Sequence, residues 1–107
     1  MSEIGDERRP HSVSVVIPVY RGQETLASLV GELSSMASTC VSDDGHPYRV
    51  TEVLLVHDHG PDRSDEVIRE LAQSYDFVRP VWLSRNFGQH AATLAGMSCS
   101  ASDWIVT

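Results

Sequence analysis

Lysine is absent from this chain: all eight basic residues are arginine. That excludes chemistry requiring a side-chain primary amine, such as a Schiff base, a phosphate-loop lysine or the lysine of a response-regulator receiver domain. Positive charge is scarce altogether. Eight basic against fifteen acidic residues leave a formal net charge of −7, and a general nucleic-acid binder needs clustered positive charge to neutralise phosphates. Nucleic acid is therefore not an expected partner. No apolar run approaches the roughly 18–20 residues that span a bilayer. Met1–Ser12 is polar and charged, with no apolar centre of the kind a secretory signal carries, and it reads as a disordered lead-in. The two cysteines, Cys40 and Cys99, show no metal-ligand spacing, so the expectation is two free thiols in a cytoplasmic protein. The G-x-G-x-x-G fingerprint is missing too, which argues against a nicotinamide enzyme.

What is present suffices for one small α/β domain. A chain of 107 residues buries about two-thirds of its unfolded surface. Ser12–Ile17 is a short β-branched run closed by Pro18, which suits a buried strand. Leu26, Leu29, Val30, Leu33, Met36, Ala37 and Cys40 then form one apolar stripe at helical spacing. Val41–Arg49, with Asp43, Asp44, Gly45 and Pro47, reads as a loop. Val50–His57 is a second strand. Asp62 or Ser64 can cap the following helix, which carries Val67, Ile68, Leu71 and Tyr75 and has Asp65 and Glu66 in its first turn. Val78–Leu83 is a third strand, and Asn86–Ser100 a helix whose small residues (Ala91, Ala92, Ala95, Gly96) allow close approach. Trp104–Thr107 opens a fourth strand. Trp82 and Trp104 read as packing residues, and His90 as an ordinary helix residue.

This βαβαβαβ order predicts a three-layer α/β domain with a mostly parallel sheet. Ligands of such sheets bind beyond the carboxyl ends of the strands, where strand order reverses. The polar segments Pro18–Glu24, His57–Ser64 and Ser84–His90 all fall at those ends, so three loops are expected to converge on one edge.

Three blocks in order carry a family resemblance. Ser14–Tyr20 resembles the opening of family-2 glycosyltransferases of the GT-A fold, a Rossmann-like architecture. Val56–Ser64 aligns without gaps to that family's V-D-D-x-S-x-D-x-[ST] segment. Leu83–Ala92, followed by Leu94–Met97, is similar to the S-R-N-[FY]-G-[QK]-x-A block of polyprenyl-phosphate sugar transferases, the group that includes dolichyl-phosphate mannose synthases.

The resemblance implies that residues 13–107 are the N-terminal, nucleotide-sugar-binding portion of a GT-A domain. It implies contacts from Pro18 and Tyr20 to the base or ribose of a UDP- or GDP-sugar, and a hydrogen bond from the base to Asp58. Arg85 would stand beside the diphosphate, where a planar guanidinium fits. Asn86 and Gly88 would open a helix whose N-terminus faces the same anion. Glu24 corresponds to an acidic residue of the following turn, allowing an offset of one.

Three residues depart from the family pattern. His57 replaces the usual first Asp, which makes local charge depend on pH near neutrality; His59 stands where Gly is common, and Arg21 where Asn is usual. The D-x-D motif that holds Mg²⁺ or Mn²⁺ in this family would follow Thr107, so the expectation is an inactive fragment of a longer transferase. The acceptor implied for that parent is a polyprenyl phosphate at the cytoplasmic face of a membrane. Two alternatives stand beside this. One is a non-catalytic nucleotide-binding module that forms a homodimer through an exposed sheet edge. The other is a metal site at His57, Asp58, His59 and Asp62, which Pro61 disfavours because metallo-hydrolases of that pattern need Asp there.

Overall fold

The computed structural model describes residues 10–42, 45–85, 88–100, 102 and 104–106. Most of the expected lead-in (1–9), Asp43 and Asp44 of the expected loop, Asn86 and Thr107 lie outside the described residues. The elements run β1 (His11–Val19), α1 (Leu26–Ser34), β2 (Cys40–Val41), β3 (Pro47–His57), α2 (Ser64–Ser74), β4 (Val78–Trp82), α3 (Gln89–Cys99) and β5 (Trp104–Val106).

β1 pairs in parallel along one edge of β3, and β5 pairs in parallel with β1 on its far side. Two strands share the other edge of β3. β4 runs parallel to Val53–His57, while β2 runs antiparallel to Pro47–Tyr48. The chain thus steps from β1 to β3 to β4 and then returns to the far side of β1 for β5. The order reverses at β1, which places the loop after β1 where ligands of such sheets bind.

The two faces are covered separately. Leu26 and Val30 of α1 and Ile68 and Leu71 of α2 pack with Val19, Val50, Val53, Leu55 and Val78 in one buried cluster. On the other face Ala92 of α3 packs with Val16, Leu54 and Val56. Val50 and Val53 share a face although a regular strand would oppose them. Thr51 is the reason: the register passes from Val13↔Val50 to Ser14↔Glu52, leaving Thr51 as a bulge residue. Its hydroxyl sits 2.7 Å from the Ser102 hydroxyl. The bulge turns Glu52 to the α3 side, where it is buried and pairs with Arg79 at 3.1 Å.

Several boundaries differ from the sequence expectations. β1 begins at His11 and runs through Pro18 to Val19. Proline is tolerated there because β5 pairs only with Val13–Val15, so Pro18 lies beyond the doubly paired stretch. α1 stops at Ser34, well before Cys40. The hydroxyls of Ser34 and Ser35 donate back to the carbonyls of Gly31 and Glu32 at 2.6 and 2.9 Å, a competition that weakens helices. The Met36 carbonyl is then taken by the Val50 N–H at 2.8 Å. Cys40 therefore starts a strand instead of ending a helix. Part of the expected 41–49 loop is a hairpin, with Gly45 at φ +83° in its turn. Trp82 and Trp104 are 43% and 59% exposed and pack with part of their surface only, Trp82 against the His57 ring and Trp104 edge-on to His11.

Candidate functional site

Asp58 follows the last residue of β3 and is only 3% exposed. Its N–H donates to the Val19 carbonyl at 2.9 Å, and its Oδ2 accepts from the Gly88 N–H at 3.0 Å. One residue thus joins the ends of β1 and β3, through its main-chain N–H, to the residue that precedes α3, through its carboxylate. The Leu83 N–H donates to the His57 carbonyl at 3.2 Å, drawing the end of β4 into the same group. Gly88 holds φ +92°, a conformation that side chains disfavour, so its place is a backbone requirement.

The first two loops are clasped by side chains. The Gly22 N–H donates to the Ser64 hydroxyl at 2.7 Å, and the Gln23 N–H to Asp62 Oδ2 at 3.1 Å. The Arg63 N–H returns a bond to Gln23 Oε1 at 3.1 Å. Ser64 in turn donates both its hydroxyl and its N–H to Asp62 Oδ1. The Ser64 hydroxyl is the main cause, with the Gln23 and Ser64 N–H groups adding to it, of an Asp62 carboxyl held below its usual value against an opposing push from burial. A depressed carboxyl stabilises the fold at pH above its unfolded value, and this is lost as pH falls through the folded one. Beneath the clasp the loops nearly touch. A Cβ on Gly60 would lie 1.4 Å from the Tyr20 carbonyl oxygen, so only glycine fits.

The residues singled out from sequence occupy one edge but differ in setting. Pro18 is half-buried within β1. Tyr20 is exposed, with the Arg21 guanidinium carbon 5.6 Å from its ring centroid. Glu24 and Arg85 are exposed, in the turn before α1 and after β4. His57 is buried, and its Nε2 has no hydrogen-bond partner among the described residues. Its ring lies 5.5 Å from that of Trp82, which the Arg69 guanidinium carbon approaches to 4.9 Å. His59 sits at φ +56°, in the left-handed region that favours glycine.

A sequence profile described as Glycosyl transferase family 2 matches residues 14–107. The chain belongs to glycosyl transferase family 2. It is 43% identical over 96 residues to the undecaprenyl-phosphate 4-deoxy-4-formamido-L-arabinose transferase of Edwardsiella ictaluri (strain 93-146), covering 89% of this chain and 27% of that protein. The enzyme of the same name from Salmonella choleraesuis (strain SC-B67) is 36% identical over the same shares of each chain. The chain therefore spans about a quarter of the length of these curated relatives.

The family match covers all three loops at the sheet edge. Members of this family generally use a divalent metal. Here no group of three or more His, Cys, Asp or Glu side chains able to hold one gathers among the described residues. His57, Asp58, His59 and Asp62 form no such group, so the metal alternative finds no ligand set among the described residues. Among the described residues no helix is long and apolar enough to cross a membrane. Sequence reasoning reads Ser64 only as a helix cap and Asp62 as a cap or a metal ligand, and passes over Gly22, Gln23 and Gly60. The Gly60–Pro61 dipeptide was the available signal for a tight turn; nothing local marks Gln23.

Proposed function

We propose that this chain is the donor-nucleotide-binding part of a glycosyltransferase that moves a sugar from a UDP- or GDP-sugar to a polyprenyl phosphate. The observation that carries the proposal is Asp58: a buried carboxylate at the carboxyl end of β3, held by the Gly88 N–H and flanked by the Tyr20 loop at the reversal of strand order. A carboxylate so placed accepts a hydrogen bond from an imide or amide N–H of a base and leaves a base without one unpaired, which is how a polar site discriminates. Tyr20 offers an exposed ring for the base or ribose, and Arg85 an exposed guanidinium for the diphosphate. The names of the relatives, undecaprenyl-phosphate sugar transferases, support a lipid-phosphate acceptor for the parent enzyme. The Mg²⁺ or Mn²⁺ of that enzyme finds no ligand set among the described residues here, and the isolated 107 residues are expected not to transfer sugar. Calorimetric titration of the wild-type chain and of Asp58→Ala with UDP and with GDP tests the proposal. Loss of binding of the preferred nucleotide in a folded Asp58→Ala chain is expected; equal affinity in both proteins would contradict it.

One observation favours a second reading, a non-catalytic nucleotide-binding module that self-associates. All three residues of β5 are exposed, and an exposed edge strand is a template for pairing. A concentration-dependent mass in sedimentation equilibrium would support it, and a monomer at all concentrations would rule it out.

A further inference from the structure

The segment from Asp58 to Ser64 is pinned at both ends, first to the end of β1 and then to the loop that follows it. At one end Asp58 bonds Val19 and Gly88. At the other, Asp62 and Ser64 accept from the N–H groups of Gln23 and Gly22, while Gln23 accepts from the Arg63 N–H. These last three bonds join residues 39 to 42 positions apart, so local propensity does not supply them. All three use a main-chain donor on one loop and a side-chain acceptor on the other. Bonds of that kind fix where the backbone lies, and those to the ionised Asp62 are the stronger, charge-assisted sort. Gln23 is exposed, so it contributes no core packing that could explain its place.

We propose that Gln23, Asp62 and Ser64 are positioning residues: without touching the nucleotide, their clasp sets the pose of the Asp58 carboxylate against the Tyr20 loop. This rests on the nucleotide-binding reading above. Replacing Asp62 by Asn would turn one of its two acceptor oxygens into an NH₂ donor facing other donors. Replacing Gln23 by Ala would remove the return bond from an exposed site, so the fold should survive even where Asp62→Asn does not.

The test compares the ¹⁵N-labelled wild-type chain with Asp62→Asn, Gln23→Ala and Ser64→Thr, the last keeping the hydroxyl. Amide exchange is measured without ligand, and affinity by titration with UDP and with GDP. Asp62→Asn and Gln23→Ala are expected to speed exchange of the Gly88 amide, the donor to Asp58, by about tenfold, and to weaken the preferred nucleotide by about tenfold. The ratio of UDP to GDP affinity should narrow in these two, while exchange at Val53 and Leu54 stays unchanged; Ser64→Thr, which keeps the hydroxyl but adds a methyl at a fully buried site, should keep the wild-type ratio even where it lowers stability. A lower melting temperature with unchanged Gly88 exchange and unchanged affinity ratio would make the clasp merely structural and overturn the inference alone. Failure of the wild-type chain to bind either nucleotide would overturn the proposed function and this inference with it.

Discussion

The two faces of the sheet are built on different principles. On the α1/α2 face large aliphatic side chains from two helices and three strands fill one buried cluster. On the α3 face the buried cluster among the described residues is Val16, Leu54, Val56 and Ala92, with Val81 and Leu83 packed against it, and closeness replaces volume. A Cβ on Gly96 would lie 2.3 Å from Val16 Cγ1 and 2.9 Å from Val56 Cγ2. The site draws on both. The clasped loops lead into α1 and α2 and so hang from the thick face, whereas Gly88, which reaches Asp58, leads into α3 on the thin one. Asp58 is the point where the two meet.

That contrast can be broken from either side. Leu55→Ala empties volume on the thick face and is expected to cost about 2–5 kcal/mol. Gly96→Ala overfills the thin face, for an expected cost of about 1–3 kcal/mol. Chemical denaturation measures both. The second change is also expected to loosen the Gly88 contact with Asp58, visible as faster exchange of that amide, and the first is not. The smallest effect should come from His59→Gly. Removing the side chain from a left-handed residue is expected to stabilise by up to about 1 kcal/mol, partly offset by the greater freedom of glycine in the unfolded chain. The same denaturation curves would show it.

Much of this was legible in the sequence because it is local. The β-branched runs located the centres of β1, β3 and β4, and the small residues of α3 foretold its close approach to the sheet. The polar segments after the strands marked the edge where Asp58 sits. What escaped depends on partners distant in sequence. α1 ends where the Met36 carbonyl is claimed by Val50; β2 exists because β4 leaves the Pro47 end of β3 uncovered. The bulge at Thr51 decides which valines face which helix, and no turn residue announces it. Gln23, Asp62, Ser64 and Gly60 matter only through the facing loop.

The most direct test of the central claim is a chemical-shift map of the ¹⁵N-labelled chain titrated with UDP and with GDP. The structure offers a clear counter-location, the groove of about 390 Å³ lined by His11, His46, Tyr48 and Trp104 at the opposite, amino edge of the sheet. Shifts concentrated at Tyr20–Glu24, Asp58–Ser64 and Leu83–Gly88 are the expected result. Shifts confined to the groove around Tyr48 and Trp104, or none with either nucleotide, would contradict it.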